Sequence, residues 1–492
     1  MLTKNDSMCA DKSAMDIKTR REFVFLAIAC VLCGMIPLFL PADAPWINDE
    51  PLLLEQAWNV VHKMGMPTHG LIGNVGLPYG PVPVLIYSAA LVFTHNLVLL
   101  VFLRALFFSL SIGLAVWWLA RLCPRLSPPI GALALLSPYY WFYSRALWDN
   151  SFLIPFSALT LVVYVSFCRM QAVWKLWLVA LGMVLMLQTH LMCLPLLAAI
   201  VGHFLWQYIS WAVKHSGHCV VIVLVASLAC LPYVADVAHH LGDIRAVAAD
   251  WNAASWFFTL LGGRTFSAIG LDYFFGENWQ THSQLPVLLW ILTGVSALGL
   301  LAFWVGLREA WSLLTGNKHK PGDKPLEFQL FSVVLLTLVL QVFVNGVSRA
   351  TGHPHYYNGT SFCVFTIVWL AYSQIGDRRW RWTWAGLHAV ALVTVLLSII
   401  WRIHENQGNT NIHYGPTLRT QLDVLKRLDC QNPQSAVVTE ASHYYYFPHA
   451  FRVLQLLYPL HPSTNAPATR LVIRYADPQT GAGRLVVGEA GQ

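Results

Sequence analysis

Leu97-Val98-Leu99-Leu100-Val101-Phe102-Leu103-Arg104-Ala105-Leu106-Phe107-Phe108-Ser109-Leu110-Ser111-Ile112-Gly113-Leu114-Ala115-Val116-Trp117-Trp118-Leu119 decides the fold. It is long enough to cross a bilayer, which takes about 20 apolar residues, and it carries one charge, Arg104. Similar runs recur through most of the chain. Of 492 residues, 56% are hydrophobic and 11% charged, and the mean hydropathy is +0.53. A soluble chain carries about a quarter of its residues as charges, so the sequence reads as an all-α polytopic membrane protein. The net charge of +7 then reports topology. No basic tract with interleaved aromatics points to nucleic acid.

Sidedness follows from the loops. With Leu97–Leu119 as the second span, one side collects Arg121 and Arg125, Arg169 and Lys175, Lys214, Arg308 to Lys324, and Arg378, Arg379 and Arg381. The basic N-terminus (Lys4, Lys12, Lys18, Arg20, Arg21) joins them, which makes that side cytoplasmic by the positive-inside rule. The pattern predicts about eleven spans, centred near 31, 108, 136, 160, 182, 200, 226, 296, 337, 366 and 392. Pro81–Phe93 is too short for a straight span and reads as a re-entrant or surface helix. Pro51–Met64 places Leu53, Ala57, Val60, Val61 and Met64 on one helical face, as an interfacial helix does.

The other side receives the first loop (42–96), Ser144–Ser151, a turn near His190, a long loop (235–285), the turn Gly346–Tyr357, and everything after Arg402. Residues 1–402 are expected to form the membrane domain. Residues 403–492 have soluble composition and predict a small outer α/β domain: helices at Leu418–Leu428 and His449–Leu457, strands at Ser435–Thr439, Leu471–Tyr475 and Leu485–Val487. Of ten cysteines, only Cys430 lies in this polar part, so no disulfide framework is expected.

Three outer loops carry residues able to do chemistry. Trp46-Ile47-Asn48-Asp49-Glu50 sets two acids where the chain leaves its first span. Acids at a helix start complement the dipole; a carboxylate fixed there is equally suited to deprotonate a hydroxyl. In Tyr143-Ser144-Arg145-Ala146-Leu147-Trp148-Asp149-Asn150, an interfacial aromatic belt accounts for Tyr143 and Trp148 but not for Asp149. Arg145 and Asp149 are expected opposite the first loop, with Trp148 offering a flat face to a sugar. In Arg349-Ala350-Thr351-Gly352-His353-Pro354-His355-Tyr356-Tyr357, a guanidinium, imidazoles and a phenol supply donors for a phosphate. His353 and His355 are also possible ligands of a divalent metal, but no Cys/His set with structural-zinc spacing accompanies them, and no metal is assigned. Arg104, near the outer end of its span, either snorkels or faces a site. His190 reads as a satisfied helix-end histidine. Asn358-Gly359-Thr360 fits a glycosylation sequon but opens a span.

Asn48-Asp49-Glu50, then Ser144-Arg145 with Asp149-Asn150, then His355-Tyr356 opening a late helix, together resemble the GT-C superfamily of membrane glycosyltransferases. Within it the resemblance is to glycosyltransferase family 39, which includes protein O-mannosyltransferases and the bacterial aminoarabinose transferase acting on lipid A. It covers roughly residues 20 to 400. The resemblance implies transfer of a sugar from a polyprenyl-phosphate carrier to a glycan, lipid or protein acceptor on the periplasmic face of a bacterial inner membrane, with inversion. It gives Asp49 the role of general base, Glu50 that of its positioning neighbour, and Asp149 that of a second acid. Of the leaving-phosphate set Arg349, His353, His355 and Tyr356, the family motif carries His355 and Tyr356. Where many relatives have Lys-Pro-Pro-Leu, this chain has Tyr79-Gly80-Pro81-Val82-Pro83, so Arg104 or Arg264 is the substitute for the missing lysine. A ligase using a diphosphate-linked glycan shares these features. A transporter or flippase would instead show broken helices, mid-membrane charges and internal repeats; Arg104 is the one strong mid-span charge and no repeat is visible.

Overall fold

The computed structural model describes residues 17–47, 49–62, 65–73, 76–243, 326–348, 354–373, 375, 377–411, 414–431, 437–439, 447–459, 471–476 and 482–489. Among them, six helices are long and apolar enough to cross a membrane: Leu97–Leu122, Asn150–Met170, Leu191–Lys214, Ser216–Gly242, Leu326–Val344 and Arg378–Asn406. Shorter apolar helices cover Phe23–Leu38, Val82–Phe93, Val173–Leu187 and Ser361–Leu370. The chain is a multi-pass helical membrane protein.

The elements are α1 (Ile17–Met35), α2 (Asp49–His62), α3 (Val82–Phe93), α4 (Leu97–Leu122), α5 (Pro138–Arg145), α6 (Leu153–Met170), α7 (Val173–Leu187), α8 (Leu194–Lys214), α9 (Ser216–His239), α10 (Leu326–Ser348), α11 (Ser361–Ser373), α12 (Arg378–Asn406), α13 (Leu418–Gln431) and α14 (Phe447–Leu457), with strands β1 (Val437–Thr439), β2 (Leu471–Tyr475) and β3 (Leu485–Glu489). The window containing α6 is 83% buried, against 17% for that containing α9, so α6 is the axis of the described bundle and α9 lies at its edge. The helix expected near 136 is broken into a turn at Pro128–Gly131, a 3-10 segment at Ala132–Leu136, and α5. Prolines at 128, 129 and 138 lack the N–H that a continuous helix needs. The helix expected near 296 lies outside the described residues.

Between α1 and α4 the chain stays at one end of the bundle. Pro37 and Pro41 end α1, and Asp49 and Glu50 then open α2 in its first turn, where acids are favoured. Leu53, Leu54 and Ala57 are the buried face of α2; Val60 and Val61, expected on it, are half-buried, and Met64 is outside the described residues. α3 lies against α2, the Ser88 hydroxyl donating to the Ala57 carbonyl at 3.1 Å. With 12 residues, α3 is about 18 Å long, well short of a roughly 30 Å hydrocarbon core.

The C-terminal residues fold onto this first loop. β1 pairs parallel with β2, and β2 antiparallel with β3. Their helices do not close on the sheet alone: Leu418, Leu425, Ala450, Val453 and Leu454 share a core with Trp46, Leu53, Leu54 and Ala57. Trp46 donates its indole N–H to Ala450 O at 3.2 Å, and Gln421 donates to Trp46 O at 2.6 Å. The packing therefore crosses the compositional boundary at residue 402. A polar clamp reinforces it. Asp43, 2% exposed, meets Arg419 at 2.6 Å and His404 at 2.8 Å, and its carbonyl accepts from the Tyr414 hydroxyl at 2.5 Å.

Removing one partner of a buried ion pair costs about 3 to 5 kcal/mol. Arg419 and His404 both reach solvent, which places Asp43→Asn near the lower end, at about 3 kcal/mol. Thermal unfolding in detergent is expected to show that loss, and limited proteolysis should cut the segment after Arg402 faster than in the wild type. Unchanged protease resistance would show that the apolar contacts alone hold the segment.

Candidate functional site

Three segments far apart in sequence meet where α2, α6 and α11 begin. The first is Asp49. It keeps part of its surface exposed, but its carboxylate is enclosed and accepts a hydrogen bond from the Trp148 indole N–H. Trp148 and Asp149 belong to the second segment, the link between α5 and α6. The Trp148 ring stacks with Tyr143 at 6.2 Å and 14° on one side and meets the third segment, at His355, at 5.2 Å on the other. His355 in turn contacts the Tyr356 ring edge-on at 4.4 Å. Asp49, Trp148, Asp149, His355 and Tyr356 thus form one cluster, and Glu50, 3% exposed, lies within electrostatic reach of Asp149.

Buried amides fix the second and third segments together. Asn358 is fully buried and donates to the Asn150 side chain at 3.0 Å, while its own carbonyl accepts from the Tyr139 hydroxyl. This agrees with discounting the sequon for its place at the start of a span: a side chain locked between two helix starts is unavailable to a glycan. Ser151 bonds back to Trp148 O at 2.6 Å and Ala146 O at 3.2 Å, closing the turn that presents Trp148 and Asp149.

Burial sets the electrostatics. Asp149 is 1% exposed. One of its oxygens accepts from Asn150 N at 2.6 Å, and the other has no hydrogen-bond partner among the described residues. Its carboxyl is pushed well above the usual carboxylate range, first by burial and then by the charges of Asp49 and Glu50, against the Asn150 N–H. Asp49 is raised too, by burial, but the Trp148 indole opposes the rise. Both carboxyls are thus raised by burial; the indole bond holds Asp49 back, while the neighbouring charges push Asp149 further. Tyr79 adds a phenol within electrostatic reach of both acids and of Tyr356 and Tyr233, and burial keeps it protonated.

Two expected members stand elsewhere. Arg145 is 1% exposed; it donates to the Leu40 carbonyl and lies over the Trp141 ring at 4.6 Å, on the side of the turn facing Asp43 rather than Asp49. A guanidinium at the last residue of α5 follows that helix back into the bundle, so Arg145 braces the end of α1. Arg104 donates to the Ser151 hydroxyl at 2.9 Å and lies over the Phe152 ring at 4.1 Å. It holds the acid-bearing turn from beneath. Arg349, His353, Arg264 and most of the long loop are outside the described residues. Among the described residues no three His, Cys, Asp or Glu side chains are grouped to hold a metal ion. Sequence reasoning noted Asn358 only as a sequon and Tyr79 only as part of a departure from the family pattern, and it passed over Tyr233. An amide at the start of an apolar run was the available signal for the first, since such groups are buried only with partners.

The sign of the Asp149 effect is testable. A carboxyl whose folded pKa is raised contributes stability that is complete below its unfolded value of about 4 and is lost as pH rises through the folded value. Asparagine copies the protonated form. Asp149→Asn is therefore expected to raise the melting temperature, with a gain that grows from pH 4 toward pH 8. A gain independent of pH, or a loss at pH 8, would show that the carboxylate is well solvated.

A scan against protein-family models finds no match to this chain, and a search of curated proteins finds no relative.

Proposed function

We propose that the chain is an inverting glycosyltransferase that moves a sugar from a polyprenyl-phosphate carrier to a hydroxyl of a glycan, lipid or protein. The reaction is placed on the periplasmic face of a bacterial inner membrane, with the N-terminus cytoplasmic. One observation carries the reading: two acids about a hundred residues apart in the chain meet at a mouth of the helix bundle beside an indole and an imidazole, both raised by burial, with the indole opposing the rise at Asp49 alone. That arrangement suits a reaction that takes a proton from one oxygen while a neighbouring acid stays neutral.

In this mechanism Asp49 accepts the proton of the acceptor hydroxyl. The oxygen attacks the anomeric carbon from the face opposite the phosphate, the bond from that carbon to the phosphate oxygen breaks, and polyprenyl phosphate leaves with the electron pair. Asp149, protonated, donates a hydrogen bond rather than repelling Asp49. Trp148 fixes the orientation of Asp49 and holds its pKa below the value that burial alone would give. His355 and Tyr356 stand toward the leaving phosphate, where donors aimed at developing charge lower the barrier, and Arg349 and His353 extend that set.

The test is purified protein incubated with a panel of polyprenyl-phosphate sugars, scored for donor consumption and then for the acceptor labelled. Asp49→Asn is expected to lower transfer by about a hundred- to ten-thousandfold, the usual worth of a general base, in a protein that still inserts and folds. Full activity in that variant would sink the assignment. The rate should rise with pH along a limb set by Asp49 ionisation, above the ordinary carboxylate value. In Trp148→Phe, Asp49 loses the bond that favours its ionised form, so that limb should move to higher pH. Movement to lower pH, or none, would remove Asp49 from the base role.

A further inference from the structure

The segment just before α3 forms a hairpin. Gly70 N donates to Tyr79 O at 2.8 Å, Tyr79 N to Leu71 O at 2.7 Å, and Gly73 N to Leu77 O at 2.8 Å. The hairpin is pressed onto the turn between α7 and α8, with Val82 N donating to Gln188 O at 3.0 Å. Two glycines make the approach possible: a Cβ at Gly80 would overlap the Gln188 backbone, and one at Gly73 would strike the Tyr79 phenol. The result is a stack of the Tyr79 ring on the His190 imidazole, with centroids 3.9 Å apart and planes at 35°. Tyr79 also reaches electrostatically to Asp149 and Asp49, so the stack stands beside the two acids.

His190 is only half accounted for by a helix-end role. Its Nδ1 accepts from Met192 N–H at 3.2 Å, which places the ring proton on Nε2. Burial holds the ring neutral, its pKa lowered to about 3. At 4% exposure it is a donor fixed in one tautomer, and Nε2–H has no partner among the described residues. A neutral imidazole N–H held in one tautomer and not spent on an intramolecular acceptor can donate to a ligand.

We propose that His190 Nε2–H and the Tyr79 phenol form a subsite for the hydroxyls of an uncharged sugar ring, on the flank of Asp49 and Asp149. A phosphate is disfavoured at this position, because an anion beside enclosed carboxylates meets like charge at low dielectric. A hydroxyl accepts from Nε2–H without that repulsion. The inference rests on the transfer reading and assigns the sugar end of the donor to this flank, leaving the phosphate end to His355 and Tyr356.

Two variants separate the donor role from the capping role. His190→Asn keeps an acceptor near Nδ1 and deletes the distal donor; His190→Gln keeps a distal N–H and disturbs the cap. The measurement is calorimetric binding, to protein in nanodiscs, of the short-chain prenyl-phosphate sugar that the donor panel selects, and of the same prenyl phosphate without its sugar. His190→Asn is expected to weaken the sugar-bearing ligand about three- to tenfold, the worth of one neutral hydrogen bond, and to leave the sugar-free ligand unchanged. His190→Gln should retain most of the affinity. Tyr79→Phe should again weaken only the sugar-bearing ligand. If Asn preserves affinity and Gln loses it, His190 is a cap alone and the subsite falls while transfer stands. If the wild type consumes no donor and binds neither ligand, the transfer reading and the subsite fall together.

Discussion

The bond between Asn150 and Asn358 is the constraint on which the rest of the site depends. It joins the first residue of the 3-10 turn Asn150–Phe152, which leads into the central helix α6, to the residue three positions after His355. Both amides are buried, where an unmade hydrogen bond is costly, so the two helix starts cannot slide apart without exposing or orphaning them. Trp148 is then held between Asp49 and His355 by geometry set elsewhere. Ser151, bonded to its own turn and to Arg104, stiffens the same joint from below. A site built on the ends of packed helices is held more firmly than one carried on a free loop.

The acids themselves show why a polar cluster of this kind is hard to reconcile with stability alone. Asp149 is enclosed, has one unpartnered oxygen, and lies within reach of two other carboxylates. An apolar residue or an amide would fit there at lower cost. Retaining a carboxyl at such a position is common where its proton matters to chemistry, and the neighbouring indole–carboxylate bond supplies a directional contact that a merely structural acid would not need.

Much of this was legible in the chain before any coordinates. Apolar runs gave the long helices, and the short run before Thr94 forms a helix of 12 residues. The acids of the first loop, Trp148, Asp149 and the His355-Tyr356 turn were recognisable as polar residues at helix mouths, and the structure brings them together. Direction was not legible. Arg145 and Asp149 are four residues apart, yet the helix end at Arg145 turns its guanidinium toward Asp43 and the next turn sends Asp149 toward Asp49. Arg104 reads as a charge without a partner because its partner, Ser151, is supplied by another helix. His190 looked like a cap, which it is, and periodicity says nothing about the second nitrogen of an imidazole. The prolines from 128 to 138 were visible, but hydropathy alone merges the pieces that they separate.

The clamp around Asp43 has a consequence for biogenesis. A chain emerges from the ribosome N-terminus first, so the first loop, with Asp49 and Glu50, enters its compartment long before Arg419, Gln421 and Ala450 exist to seat Trp46 and Asp43. The loop that carries the proposed base therefore stays an unfinished surface through nearly the whole of synthesis. Its final shape is set by the last residues made, so a ribosome that stops early releases a membrane-inserted chain whose helices are in place and whose reactive corner is not.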